Sequence, residues 1–367
     1  MPQGTTKKCW LALQIVALGF SSLLAGCATS LDKKQTVHAS VAENAKTLRY
    51  VDTIDEVALG SNDIFKRMLT GGDPYNLTKP VAIGVRGDTL IISDAGDLWH
   101  DRGTSISDPV TAIGKASIRE NESGFGALYK YNLKTGYFEN IRGAGDVIEG
   151  EISDIYIAKD MSFYVTDVDG KRVLHFSPDG DLIQEYKDAP NIFRPIAVTL
   201  DDVRQELIVA DEMYSHIVAF DLKSRQPKYG MGSRGEGPGN FRIITDMIAV
   251  PGGFVISDRI ELRVQIFNRS GEFIADFGRN DLMFPTALAA DNFGRIYVAD
   301  KADNTIKVYK AGKLIDVVGR NGGNAGEFRY ISDMKVLDNK LFVVDSLNSR
   351  IQIFEFVPEA KSVALLQ

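Results

Sequence analysis

Cysteine is nearly absent from this chain. Its 367 residues include two, Cys9 and Cys27, and none after residue 27. The remainder cannot form an internal disulfide and must be held together by packing. Hydrophobic residues make up 44% of the chain and aromatic residues 9%, which is enough apolar surface for a sizeable core.

Histidine is also scarce, with four in the chain. They do not cluster as the ligands of a catalytic zinc ion must. No nucleophile-elbow sequence supports Ser-His-Asp chemistry. The glycine-rich run at 232–239 lacks the Lys-Ser/Thr pair of a phosphate loop. We therefore predict no catalytic residues, and the sequence gives little support for an enzyme.

One apolar run stands out near the start of the chain. Residues 10–24 follow Lys7 and Lys8, are too short to span a bilayer comfortably, and end in the sequence Leu-Ala-Gly-Cys at 24–27. This ending resembles the lipobox of bacterial lipoproteins, which implies cleavage before Cys27 and lipidation of Cys27. Ala28 in place of Asp implies the outer rather than the inner membrane. The alternative is an ordinary secretory signal peptide with an accidental cysteine.

The chain is acidic. Its formal charge of −7 becomes −9 once a signal peptide at 1–26 with its two lysines is removed. A negative protein is disfavoured near the phosphate backbone, so we expect no nucleic-acid partner. Residues 27–46 are polar and lack hydrophobic periodicity, and we predict that they form a flexible tether.

A repeat dominates the rest of the sequence. A small or β-branched residue followed by Asp closes a β-rich run six times, at intervals of 73, 44, 47, 42 and 45 residues. Four short strands in about 40–50 residues is the size of a propeller blade. We predict an all-β fold, a six-bladed β-propeller of four-stranded antiparallel blades at 47–357, followed by a tail at 358–367. The six aspartates are Asp94, Asp167, Asp211, Asp258, Asp300 and Asp345.

A second marker comes five residues after four of these aspartates: Arg172, His216, Arg263 and Arg350, with Thr305 the exception. We predict that the arginine returns to the carboxylate as a partly buried pair. His216 takes the arginine position, which indicates a structural rather than a ligand role.

The segments 232–241 and 345–354 resemble the consensus of NHL repeats, and the similarity extends over roughly 77–356. This resemblance implies the propeller fold. It is nearly silent about function, since NHL propellers include RNA-binding modules, receptor sensor domains, a peptide-amidating lyase and bacterial lipoproteins.

The sequence also predicts how the ring closes. Blade 6 has three convincing strands, so we expect 48–54 to supply its outer strand and leave no open edge. Residues 362–366 are the alternative. Residues 56–69 have helical spacing and predict a short helix that leads from this strand to blade 1.

Blade 1 carries an insertion of roughly thirty residues between its second and third strands, at 95–126. Long loops on a rigid scaffold are where function concentrates. We predict binding residues here, or alternatively a loop that packs its tryptophan for its own stability. The candidates are Trp99, His100, Asp101 and Arg102.

Proline and aspartate alternate at what we predict to be the first residue of each inner strand. If the ring is regular, Asp154, Asp246 and Asp333 meet at the channel mouth. Three oxygen ligands could hold Ca²⁺ or another divalent cation, or attract a cationic group of a partner. Alternatively, each aspartate accepts backbone N–H groups of its own turn. No other cofactor is predicted.

Together these patterns predict a membrane-anchored periplasmic or surface lipoprotein that binds or scaffolds an envelope protein through the face bearing the insertion. We expect the partner to present a basic or polar patch. The alternative is a metal-binding sensor or a lyase- or hydrolase-like enzyme that uses the channel. Recognition of a sugar or peptidoglycan fragment is a third reading that no motif supports.

Overall fold

The computed structural model describes residues 46–55, 77–96, 127–141, 144 and 147–358. They form six four-stranded antiparallel sheets arranged as a propeller, which confirms the predicted fold class. The signal peptide, most of the tether, the predicted helix at 56–69 and the residues after 358 lie outside the described part of the chain.

Each blade runs from an inner strand at the channel to an outer strand at the rim. Blade 1 contains β2 (Pro80–Arg86), β3 (Thr89–Asp94), β4 (Ala127–Asn132) and β5 (Phe138–Asn140); blade 2 contains β6 (Ile152–Ile157), β7 (Phe163–Asp167), β8 (Arg172–Phe176) and β9 (Leu182–Tyr186); blade 3 contains β10 (Pro195–Asp201), β11 (Glu206–Asp211), β12 (His216–Asp221) and β13 (Pro227–Met231). Blade 4 contains β14 (Ile244–Val250), β15 (Gly253–Asp258), β16 (Arg263–Asn268) and β17 (Phe273–Phe277); blade 5 contains β18 (Pro285–Ala290), β19 (Arg295–Asp300), β20 (Thr305–Lys310) and β21 (Lys313–Val318); blade 6 contains β22 (Ile331–Leu337), β23 (Lys340–Asp345), β24 (Arg350–Phe356) and β1 (Leu48–Ile54).

The hydrophobic core is divided among the spaces between blades. Six clusters of buried apolar side chains each fill one interface between neighbouring blades. Each inner strand contacts the inner strands of both neighbours, so the ring is continuous. A four-stranded blade therefore buries both faces only by stacking against the next blade.

The N-terminal strand closes the ring as predicted. β1 pairs antiparallel with β24, from Leu48 opposite Phe356 to Ile54 opposite Ile351. Leu48 is fully buried between blades 5 and 6. The strand thereby covers the edge that β24 would otherwise expose.

Two glycine-rich segments, 232–241 and 319–328, lead into blades 4 and 6. Gly232 and Gly319 have positive φ, and a Cβ at Gly319 would lie 2.3 Å from the ring of Phe328. Phe241 and Phe328 end these segments and are fully buried in interblade clusters. Glycine is needed because it allows the backbone to pass directly over each ring.

Candidate functional site: the channel and the loop face

The two faces of the propeller are built from different turns. The loop face carries the turns between the second and third strands and the connections from blade to blade, and the hairpin face carries the remaining turns. Asp94 and Ala127, which pair across β3 and β4, lie at the loop face, so the predicted insertion joins the propeller there.

The predicted binding and lipidation residues belong to segments outside the described residues. Their proposed roles stay predictions. These residues are Cys27, Trp99, His100, Asp101 and Arg102.

The repeat-marking aspartates shape the loop face. Asp300, for example, accepts hydrogen bonds from the N–H groups of Met283 (2.7 Å) and Phe284 (2.9 Å), just before the inner strand of the same blade. In blades 2 to 6 the residue four positions after the aspartate has φ between 52° and 58°, so the turns share one shape. The residue two positions after the aspartate lies at the apex of this turn.

The predicted arginine–aspartate pair forms in two blades. Arg172 Nε lies 2.8 Å from Asp167 Oδ2, and Arg350 Nε lies 2.8 Å from Asp345 Oδ2. In blade 5, where the sequence has Thr305, Lys307 Nζ lies 2.6 Å from Asp300 Oδ2 and supplies the cation instead.

The pairing prediction was wrong for Arg263. This guanidinium pairs with Asp276 at 3.0 Å and donates to three carbonyl oxygens of the preceding loop. Asp258 already accepts four backbone N–H groups and needs no arginine. His216 Nε2 donates to the carbonyl oxygen of Asn191, 2.7 Å away, which agrees with a structural role.

The three channel aspartates are the third residues of their strands, not the first as predicted. The register with the second strand shifts at each of these aspartates. The third residue of the inner strand is alanine in blades 1, 3 and 5. The six residues alternate around the ring as Ala82, Asp154, Ala197, Asp246, Ala287 and Asp333.

Each channel aspartate ties two inner strands together. Asp246 accepts the N–H of the next residue, Met247, and the N–H of Leu288 on the following blade, both at 2.6 Å. Asp154 and Asp333 repeat the pattern with the following blades. Inner strands have an unpaired edge toward the channel, and the three carboxylates satisfy one N–H on each of the six edges.

Lys335 brings a positive charge into this cluster. Its ammonium lies 2.8 Å from Asp154 Oδ1 and 2.7 Å from Asp333 Oδ1. Burial, with repulsion from the other two carboxylates, raises the pKa of Asp246 to about 7. Burial likewise raises the pKa of Asp333, whereas the surrounding carboxylates outweigh the effect of burial and raise the pKa of Lys335. Three aspartates thus share one lysine.

The contacts of the three aspartates can be compared with those that the predicted cation site requires. The aspartates accept backbone N–H groups, but these belong to inner strands of their own and the following blade rather than to their own turns, and Lys335 lies between two of the aspartates. Among the described residues no group of three or more His, Cys, Asp or Glu is arranged to hold a metal ion. The aspartates are 3–6% exposed, so they cannot meet a basic patch of a docked protein.

A ring of charged and aromatic side chains surrounds the channel at the loop face. Arg194 contacts Glu151 (3.1 Å) and Glu212, and Glu212 lies 3.7 Å from Arg259. The ring continues on the other side through three residues of blades 5 and 6: Lys301 Nζ lies 4.4 Å from the centre of the Tyr330 ring, and Phe284 packs beneath both Lys301 and Arg259.

Lys79 lies close to this ring. Burial lowers its pKa, Glu151 opposes this shift, and Lys301 adds to it. Among the described residues, the cations near the mouth are Lys79, Arg194, Arg259 and Lys301, and Arg194 and Arg259 contact the carboxylates of Glu151 and Glu212.

Large apolar side chains are exposed around this mouth. Met213, Ile260 and Leu347 occupy the same turn apex in three blades, and Phe193 and Met283 each lie two residues before an inner strand. They are 38–60% exposed. Such a group of exposed apolar side chains is typical of a protein-binding surface.

The other end of the channel opens at the hairpin face as a cavity of about 370 Å³. Asp154 and Lys335 lie at its base, and Arg86 and Tyr156 line its wall with apolar residues of the inner strands. This volume is in the range of small-molecule sites. The Asp–Lys cluster separates this cavity from the loop-face mouth.

Comparisons with known proteins support the fold alone. No protein-family model and no curated protein matches the chain. The structure is similar to that of a structural genomics protein of unknown function from Bacteroides thetaiotaomicron, with a TM-score of 0.57 and 13% sequence identity, over 85% of this chain and 76% of that chain. Within the described residues, no helix has the length and apolar character to cross a membrane.

Sequence reasoning missed Lys335 and the apex residues. Lys335 follows Asp333 by two positions, which places both on the same side of an inner strand, and this spacing could have been noticed. The apex residues follow the repeat aspartates by two positions. An apolar residue in the middle of a turn was the available signal.

Proposed function

We propose that this protein is a lipid-anchored propeller of the bacterial envelope that binds a partner protein through its loop face and acts there as a scaffold. The lipobox-like sequence ending at Cys27 supports the anchor, and Ala28 supports the outer membrane. The NHL-like segments support kinship with the propeller lipoproteins that carry such repeats.

The observation that carries this proposal is the group of exposed apolar side chains around the mouth at the loop face. Met213, Ile260 and Leu347 recur at one structural position, where a soluble turn needs no apolar side chain. Methionine and aromatic side chains are enriched at binding surfaces, and clustered ones act as energetic anchors. A partner that covered several blades would bury them together.

The direction of the N-terminal strand supports the same surface. β1 begins beside Phe356, where β24 ends at the hairpin face, and runs toward the loop face. A tether that arrives at Leu48 therefore meets the propeller on the side opposite the mouth. This leaves the loop face accessible to a partner when the hairpin side is turned toward the membrane.

The charges at the mouth revise the expected partner chemistry. The sequence suggested a basic or polar patch facing exposed carboxylates, but those carboxylates are buried. Among the described residues of the mouth, three cations outnumber two carboxylates: Arg194, Arg259 and Lys301 against Glu151 and Glu212. We therefore expect acidic groups on the partner at this point, surrounded by apolar contacts.

Site-specific photocrosslinking in cells tests the docking surface. A photoreactive amino acid at Met213 or Leu347 should give one discrete crosslinked product, because these side chains face the partner. The same amino acid at Val203, which is exposed at a hairpin, is the matched control and should give none. Equal products from all three positions, or none from any, would contradict the proposal.

The anchor and the insertion are tested separately. Cys27→Ala should move the protein from the membrane fraction to the soluble fraction. Trp99→Ala and Asp101→Ala should weaken the Met213 crosslink if the insertion belongs to the surface. An unchanged crosslink in both alanine variants assigns the insertion to another role and leaves the apex residues as the docking site.

The second candidate is a metal-binding sensor or enzyme that uses the channel, with Asp154, Asp246 and Asp333 as ligands. The observation that favours it is the meeting of these three carboxylates at the channel axis. A divalent cation would have to displace Lys335. Elemental analysis of the purified protein decides: one tightly held Ca²⁺ or transition-metal ion per chain supports this candidate, and a metal-free protein counts against it.

A further inference from the structure

We infer that the hairpin-face cavity is a binding site for a small organic monocarboxylate. This inference does not depend on partner docking, because the cavity lies on the opposite face from the proposed docking surface. It rests on the balance of hydrogen-bond donors and acceptors that the cavity presents.

At the base of the cavity, the aspartates do not use all the N–H donors of Lys335. An ammonium has three N–H donors, and Lys335 directs two of them to Asp154 and Asp333. Lys335 lines the cavity, and its side chain is 19% exposed. The third donor is thus available to a molecule in the cavity.

The wall has further donors. The Arg86 guanidinium donates its Nε hydrogen to the carbonyl oxygen of Ile157, 2.8 Å away. Arg86 pairs with no carboxylate among the described residues. A guanidinium has five N–H donors, so several remain to bind a planar acceptor.

The two carboxylates that line the cavity, by contrast, are already occupied as acceptors. Asp154 accepts hydrogen bonds from two backbone N–H groups and from Lys335. Asp291, near the rim, accepts from Arg295, Tyr297 and the N–H of Phe293. A ligand that satisfies the cavity must therefore bring acceptor oxygens, as a carboxylate does.

The charge and the lining of the cavity further limit the class of ligand. The cluster at the base has three carboxylates and one ammonium, which disfavours a dianion such as phosphate relative to a single negative charge. Much of the remaining lining is aliphatic: Val85, Ile157, Ile248, Val336 and Leu288. We expect an apolar body attached to the carboxylate.

Methionine methyl groups offer a direct measurement. Met247 and Met334 line the cavity, whereas Met213 and Met283 are exposed at the loop face. Titration of the full-length, ¹³C-methyl-methionine-labelled protein with acetate, butyrate and benzoate should shift the Met247 and Met334 signals saturably, most tightly for benzoate. The Met213 and Met283 signals should not move.

Variants and matched probes test the recognition. Arg86→Met should weaken benzoate binding about tenfold or more, because the forked contact is lost. Arg86→Lys, which keeps the charge, should weaken it less. Lys159→Met, at the same face but outside this cavity, should bind as the unchanged protein does. An unchanged signal from Met231, which is buried and lies outside this cavity, reports that each variant is folded.

Four results would overturn the inference. The first is that no monocarboxylate of the series shifts the cavity methionines. The second is that benzamide shifts them as tightly as benzoate. The third is that Arg86→Met leaves the affinity unchanged. The fourth is that inorganic phosphate binds more tightly than benzoate, which would assign the cavity to a different anion class.

Discussion

Replacing Lys335 by Met should destabilise the propeller in a pH-dependent way. The change keeps a long apolar stem and removes the ammonium that lies 2.8 and 2.7 Å from two buried carboxylates. Removing one partner from a buried ion pair typically costs about 3–5 kcal/mol. We expect a loss of this size in the free energy of unfolding at pH 8.

The pH dependence follows from the direction of the pKa shifts. Burial already raises the pKa of Asp246 and Asp333, and loss of Lys335 removes the attraction that holds both down. A carboxyl with a raised folded-state pKa contributes stability at low pH, and this stability is lost as pH rises through that pKa. The penalty of Lys335→Met should therefore shrink toward pH 5, by about 1.4 kcal/mol for each unit by which one carboxyl pKa rises within the window.

Urea denaturation of both proteins at pH 5, 6, 7 and 8 measures this difference, and pH effects from other residues cancel in the comparison. Lys134→Met is the control, because Lys134 forms an exposed pair with Asp88 at a hairpin and is 74% exposed. Its loss should cost less than about 1 kcal/mol at every pH. A penalty for Lys335→Met that is constant, or larger at pH 5 than at pH 8, would refute the account of the cluster.

Two further predictions concern stability. Leu48→Ala should lower the free energy of unfolding by about 2–5 kcal/mol in urea denaturation, because Leu48 is fully buried at the ring closure. Val51→Ala, in the same strand but 41% exposed, should cost less than about 1 kcal/mol, and equal losses would contradict this account of the closure. Arg172→Met should lower the free energy of unfolding by about 3 kcal/mol or more, because it leaves buried Asp167 without its cation. Arg49→Met, which breaks the exposed pair with Glu355, should cost less than about 1 kcal/mol, and similar thermal unfolding of the two variants would contradict this ranking.

The repeat pattern predicted the fold because each blade needs the same turn at the same place. The Asp at the end of the second strand fixes that turn by accepting backbone N–H groups, so the spacing of these aspartates predicted the number of blades. The closing strand was predictable for a related reason, since blade 6 lacked an outer strand and Leu48–Ile54 had no other sheet to join.

The site was less predictable because it depends on distances between blades. Lys335 reaches Asp154 across 181 positions of sequence, and no local pattern predicts that contact. Asp246 and Asp333 were predicted as the first residues of their inner strands, whereas each strand begins two residues earlier; the register shift at that point is not visible in the residue types. Arg263 contacts Asp276 rather than Asp258, whose carboxylate already accepts four backbone N–H groups.

The strand that seals the ring is also the one nearest the proposed anchor. A pull on the lipid would reach the propeller at Leu48, opposite Phe356, and would act on one end of the β1–β24 ladder. Because β1 runs from the hairpin face to the loop face, a pull directed away from the loop face acts along the strand and loads the β1–β24 hydrogen bonds in shear. Thr47, which donates to Asp316 of blade 5 through both its N–H and its hydroxyl, lies at that point and reinforces the first position to be loaded.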